Sequence, residues 1–144
     1  MDINGYEVTS LAFMAAGGPL WNATGAQGEQ VLVSLRAAQE GEELEQRWRA
    51  WANLRCPHVV TLLDVARHDD GRWALVMERV PGSTLEALMA RGDLRGRTER
   101  EAVVQGVESA LAALHRVGLV HGDVAPANVV VRPDGSPVLV DLID

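Results

Sequence analysis

A short stretch near the C-terminal end holds the side chains whose types and spacing suggest chemistry. His121-Gly-Asp123 is followed by Val-Ala-Pro-Ala-Asn128, and Asp141 comes one turn segment later. Asp and Asn offer hard oxygen donors of the kind that hold Mg²⁺ against phosphates. An H-x-D-x-x-x-x-N loop with a second Asp one hairpin on is the pattern of a phosphoryl-transfer site. Moving a phosphoryl group also calls for fixed positive charge, because negative charge must be stabilised as it develops. All thirteen basic residues here are Arg, so no lysine can supply it. The acceptor side of a phosphoryl-transfer site is legible, and the phosphate side is in question.

The rest of the composition limits what can surround such a site. A chain of 144 residues, 47% apolar and 23% charged, is long enough for one domain with a real core. The net charge of -7 opposes binding to nucleic acid and to anionic membrane surfaces. Apolar runs are short and interrupted, so no segment is expected to span a bilayer. The start, Met-Asp-Ile-Asn-Gly-Tyr, lacks the basic and apolar regions of a signal peptide. Cys56 is the single cysteine, which excludes an internal disulfide and fits a reducing, cytoplasmic setting. It reads as a small buried hydrophobe rather than a reactive thiol. Exclusive use of Arg, with many Ala, Val and Gly, points to a GC-rich bacterial genome.

The elements that must position these residues follow from patterning. Residues 6–14, 20–24 and 30–36 read as strands separated by Gly-rich turns. Glu42–Leu54 has apolar residues Leu44, Trp48, Trp51 and Leu54 at helical spacing, and Pro57 follows. Residues 59–68 and 72–80 are apolar runs joined by Asp69-Asp70-Gly71, a hairpin signal. After Pro81-Gly82 the pattern turns helical. Ser83 or Thr84 can cap a short helix through Arg91. Thr98-x-x-Glu101 reads as a capping box opening a long helix to about Val117, with Val103, Val107, Ala110, Leu111 and Leu114 on one face. Residues 129–131 and 138–140 form a last hairpin. The expected architecture is α+β: a five-stranded antiparallel sheet with one helix over residues 1–80, then a mainly helical part over 81–144.

This order of elements resembles the protein kinase superfamily from start to finish. Cys56-Pro-His-Val-Val-Thr-Leu-Leu-Asp-Val65 resembles the stretch after helix C of eukaryotic-like Ser/Thr kinases. Leu75-Val-Met-Glu-Arg-Val-Pro-Gly-Ser-Thr-Leu85 is similar to the fifth strand and hinge, and His115 through Asn128 resembles the catalytic loop and its approach. The His-Gly-Asp form also occurs in aminoglycoside-type phosphotransferases, but the hinge and helix-C stretches favour protein kinases. The resemblance implies Asp123 as the acceptor-orienting carboxylate, and Asn128 and Asp141 as ligands of Mg²⁺. It implies Gly17, Gly18, Leu32, Met77, Glu78, Val80 and Val130 as positions around ATP. His121 becomes a packing residue, part of an internal spine with Trp51, Leu62 and Leu142.

Several positions depart from the family. Ser34 stands where the strand lysine belongs, and Arg47 stands where helix C offers that lysine a Glu. Arg36 shares a sheet face with Ser34 by period two, yet a guanidinium two residues away does not reproduce an ammonium without remodelling. Arg36 is therefore expected on the surface. Ala125 replaces the catalytic-loop lysine. Ala15 and Phe13 replace earlier glycines of the phosphate loop, and Leu32 replaces the small residue of the adenine slot. Gly122 stands in place of the usual Arg before the catalytic Asp. Relatives continue beyond the position of Asp144 into further helices, so the apolar face of the long helix is expected to need cover from a second copy or another protein. The favoured expectation is a pseudokinase with weak or lost ATP and Mg²⁺ binding that acts through protein contacts. The alternative is an active atypical ATP-dependent phosphotransferase, on a protein or a small molecule, with an Arg in the lysine's role.

Overall fold

The computed structural model describes residues 2–15, 18–94, 96–119 and 124–140. These fall into two compact units, one formed by Met1–Leu54 with Thr61–Arg79 and the other by Arg55–Val60 with Val80–Asp144.

The first unit is a sheet carrying one helix. Strands β1 (Asp2–Ile3), β2 (Tyr6–Ala15), β3 (Gly18–Thr24) and β4 (Gln30–Arg36) are followed by helix α1 (Ala38–Ala52) and then β5 (Leu62–Arg67) and β6 (Trp73–Glu78). The spatial order is β1-β2-β3-β4-β6-β5, antiparallel throughout. Six strands among the described residues replace the five expected. The extra one is β1, which the Asn4-Gly5 turn folds back onto β2, with Asn4 at φ 52°. That turn buries Ile3 completely with Ala23, Val31, Val33, Ala74 and Val76. Burial of this kind stabilises by about 25 cal/mol per Å², enough reason for a two-residue strand to form. Helix α1 starts at Ala38, four residues ahead of the expected Glu42, and Glu40 in its first turn suits the positive helix end.

The second unit holds β7 (Ser83–Thr84), α2 (Leu85–Arg91), α3 (Arg97–Arg116), a single 3₁₀ turn at Pro126–Asn128, β8 (Val129–Val131) and β9 (Pro137–Leu139). The three strands make a small sheet in the order β7-β8-β9. Thr84 caps α2 as expected, its hydroxyl accepting from the Ala87 N–H at 3.1 Å. The capping box at Thr98 does not form. The N-cap of α3 is Gly96, so Thr98 lies inside the first turn, and an Arg97–Glu101 pair spans that turn at 2.9 Å. The connector Arg55–Val60, read in sequence as part of the sheet region, instead docks on β9. Val60 N–H donates to Leu139 O at 2.8 Å and Leu139 N–H donates to His58 O at 2.8 Å.

Helix α3 buries most of the expected face, turned slightly toward smaller residues. Val103, Gly106, Ala110, Ala113 and Leu114 are buried, while Val107 and Leu111 are half-buried. Small residues explain the rotation. A Cβ on Gly106 would lie 2.3 Å from Pro137 Cγ, so the bare backbone of α3 is what lets β9 approach. Ranking helix positions by apolar bulk alone misses this close packing. Val103, Ala110 and Leu114, three residues of the face expected to need a partner, are thus already covered within this chain.

Candidate functional site

Strand β4 positions most of the phosphate-side candidates, and both its faces are buried. Val31 and Val33 point into the apolar core, whereas Leu32, Ser34 and Arg36 alternate onto the other face. Cross-strand partners share a face, so Leu32 lies beside Met77, Ser34 beside Leu75 and Arg36 beside Trp73. Leu32 and Met77 are each 1% exposed. Glu78 ends β6, and its backbone and side chain both engage Thr61: the Glu78 N–H donates to Thr61 O at 3.0 Å, and its carboxylate accepts from the Thr61 N–H at 2.9 Å. Gly18 opens β3 opposite Ala15. Gly17 lies outside the described residues.

Position 34 is where structure and expectation part. Arg36 is 6% exposed rather than a surface residue, and Ser34 is 5% exposed. The Arg36 Nε–H donates to Ser34 Oγ at 3.2 Å, and its Nη1 stands 3.7 Å from Glu40 Oε2 in the first turn of α1. The surface assignment failed because period-two alternation puts Arg36 on the face that α1 covers. Burying a guanidinium is unfavourable unless polar partners receive it, and Ser34 and Glu40 are two of them. Sequence reasoning missed Glu40 altogether. The signal was available: Glu40 is four residues after Arg36, across a one-residue link into a helix. Arg47, which the resemblance sets at the family's helix Glu, is exposed.

In the second unit the metal-side candidate that can be described is Asn128. It closes the 3₁₀ turn and is fully buried. Its N–H donates to Ala125 O at 2.9 Å and its own carbonyl accepts from the Val140 N–H at 3.0 Å. The backbone therefore joins Asn128 to the residue that precedes Asp141. Oxygen donors at 128 and 141 are the chemistry Mg²⁺ takes. Asp123, Asp141, His121, Gly122 and Leu142 lie outside the described residues. Val130 is buried at the centre of β8, paired with Thr84 and Val138. Val80, the first residue of the long second segment of this unit, is 5% exposed. Of the spine positions, Trp51 and Leu62 are buried in the sheet unit.

Comparison with known proteins identifies the family. The family model of the protein kinase domain matches residues 31–144. The chain belongs to the protein kinase family. It is 34% identical over 110 residues to a probable serine/threonine-protein kinase of Clostridium perfringens, covering 72% of this chain and 16% of that one. Serine/threonine-protein kinase PknL of Mycobacterium tuberculosis is 42% identical over 95 residues, 65% of this chain and 23% of PknL. PkaB of Streptomyces coelicolor, also a serine/threonine-protein kinase, is 32% identical over 135 residues, 90% of this chain and 32% of PkaB. The chain spans a third or less of the length of these relatives. A crystal structure of Rad53 residues 1–466 with AMP-PNP superposes with a TM-score of 0.83 at 18% identity, covering 96% of this chain and 38% of that one. The kinase fold expected from the motifs is thus the fold observed. Kinases of this fold in general bind ATP and Mg²⁺. No helix among the described residues is long and apolar enough to cross a membrane.

Proposed function

We propose that this chain is a kinase-fold module whose phosphate clamp has been converted to structural use, so that it binds ATP and Mg²⁺ weakly or not at all and works through protein contacts. The observation that carries the reading is the closed polar cluster at position 34. Where the family resemblance puts a lysine, the hydroxyl oxygen of a buried serine accepts from Arg36, whose guanidinium also faces Glu40. Arg47 adds positive charge where the family has negative, and it is exposed. Loss of one preorganised charge at a transferring phosphoryl group costs about 10²–10³ in rate, and Ala125 removes a second. The contacts would be made with another protein or a second copy of the chain.

A second reading is an active, atypical phosphotransferase. It is favoured by the burial of Arg36, which puts a permanent cation beside position 34, and by the retained Asp123, Asn128 and Asp141. The names of the serine/threonine kinase relatives also support it.

A thermal-shift titration of the chain with ATP and Mg²⁺ separates the two. A ligand at a hundred times its Kd stabilises by about 2.7 kcal/mol, a shift of several degrees in Tm. The first reading expects almost none at millimolar ATP, and expects any residual shift to vanish with EDTA. It also expects Ser34→Lys to create or strengthen the response. A large shift that persists without metal would overturn it. A metal-dependent shift accompanied by phosphoryl transfer, with Asp123→Asn abolishing the transfer alone, would establish the second.

A further inference from the structure

We propose that Arg36 is a positioning residue that holds the N-terminal end of α1 on strand β4, through Ser34 and Glu40, so that the helix keeps its place without a nucleotide. The inference concerns the sheet unit alone and rests on contacts that involve no nucleotide.

The geometry begins with one rung of the sheet. Arg36 and Trp73 are cross-strand partners on β4 and β6 and therefore lie side by side on one face. Each reaches a different turn of α1. Arg36 approaches Glu40 in the first turn at 3.7 Å. Trp73 meets Trp48 edge-on, with ring centroids 5.7 Å apart and planes at 61°. Glu40 and Trp48 are eight residues apart, just over two turns and ~12 Å along the axis. A single rung thus grips the helix at two well-separated points, which fixes its angle as well as its distance.

The polar grip is more directional than the aromatic one. Arg36 is 6% exposed and its Nε–H is committed to Ser34 Oγ, so the guanidinium plane is set from the strand side. Glu40 serves both partners of the junction: Oε2 faces Arg36, and Oε1 accepts from the Ala37 N–H at 3.4 Å. Glu40 is 41% exposed, so solvent screens its side of the ion pair. The weight falls on the desolvated guanidinium, which loses a partner if α1 tilts away. Helix placement is then a property of the chain itself.

Hydrogen exchange of the amides of residues 38–44, read together with the near-ultraviolet circular dichroism of the Trp48–Trp73 pair, tests this. Arg36→Met keeps a long apolar stem and removes the charge. It should speed exchange in residues 38–44 by about tenfold, the equilibrium equivalent of one hydrogen bond to a charged group, and weaken the tryptophan signal. Arg36→Lys keeps a cation and should recover at least half of both. Glu40→Gln should raise exchange by a smaller factor, about two- to threefold, as suits a screened pair. ATP with Mg²⁺ should leave residues 38–44 of the unmodified chain unchanged. Unaltered exchange in Arg36→Met would overturn the proposal. So would an Arg36→Lys protein no better than Arg36→Met, since Arg36 would then act only as packing. Protection of residues 38–44 by nucleotide would overturn it as well. Should Arg36→Met fail to fold, Glu40→Gln decides: exchange at the unmodified rate would overturn the idea.

Discussion

The two units of this kinase-fold chain hold their buried polar residues by different kinds of contact. In the sheet unit, Ser34, Arg36 and Glu40 satisfy one another side chain to side chain, across a strand and the helix that follows it. In the second unit, Asn128 is held through its backbone, between the 3₁₀ turn and the strand end at Val140. A backbone tether survives substitution of nearly any neighbour, whereas a side-chain cluster depends on every member keeping its type. On the proposed function, the cluster at position 34 is where a few substitutions redirected a polar network to structural use.

The largest expected effect tests whether the sheet unit depends on its helix. Trp51 of α1 is 2% exposed and Trp48 meets Trp73. Trp51→Ala should destabilise the sheet unit by about 3–5 kcal/mol, the usual result of emptying a buried aromatic site. Urea unfolding followed by tryptophan fluorescence and by far-ultraviolet circular dichroism should then give transitions that no longer coincide. All four tryptophans lie in residues 21–73, so fluorescence would report the sheet unit ahead of the rest. Coincident transitions would mean that the units unfold as one.

A smaller effect is expected at Gly106, where the second unit relies on close approach instead of large side chains. A Cβ there would meet Pro137 Cγ at 2.3 Å and Cδ at 2.7 Å, with His58 Nδ1 at 3.1 Å. That nitrogen sits 2.8 Å from Pro137 O, and since a carbonyl only accepts, it must carry the proton. Alanine in place of glycine gains about 1 kcal/mol of helix propensity, but forcing a methyl against a proline ring costs about 1–3 kcal/mol. Gly106→Ala should therefore lower stability by roughly 1 kcal/mol in denaturant unfolding, the net of those two terms. A more stable variant would show that β9 can move back from α3, and would break the contrast between the units.

Legibility in the sequence followed the same division. Strands β2 to β6 were readable because alternation and turn residues agree there, and α2 because Thr84 is a real cap. Strand β1 escaped because two residues carry no period, although Asn4-Gly5 marks its turn. The buried face of α3 was read at Val103, Ala110 and Leu114 but missed Gly106 and Ala113, which contribute by being small, whereas apolar patterning ranks residues by size. Arg36 was assigned to the surface because the residue type was weighed above its position on a strand whose two faces are both covered. The family was legible from three motifs in order, the stretch after Cys56, the hinge around Glu78 and the loop around Asp123. The spacing that joins Ser34, Arg36 and Glu40 was present but was not weighed against the burial of the strand that carries it.

The smallest expected effect concerns acid, and it sets the two units' hairpin turns against each other. Asp70, in the turn between β5 and β6, accepts from the Arg72 side chain at 2.6 Å and from its N–H at 3.0 Å. Asp134, in the turn between β8 and β9, accepts from the Ser136 hydroxyl at 2.7 Å and from its N–H at 2.9 Å. Each carboxyl is held below its ordinary value, Asp70 chiefly by the hydrogen bond from the Arg72 side chain and Asp134 chiefly by that from Ser136. A carboxyl whose folded pKa is depressed contributes stability above its unfolded value, about 3.9. That contribution is lost as pH falls through the folded pKa. Both groups are open to solvent, so the loss should be slight and confined to the region below about pH 4. Salt tells the two apart. The bond to Asp70 comes from a full charge, and raising ionic strength to about 1 M, where the screening length is about 3 Å, should move its pKa back toward the ordinary value. The main donors to Asp134 are a neutral hydroxyl and an amide, so its shift should largely persist. Carbon-13 titration of the two carboxyls at low and high salt reads both directly. Equal salt sensitivity would mean that the Arg72 guanidinium does not hold Asp70 in solution, and that the two turns are stabilised alike.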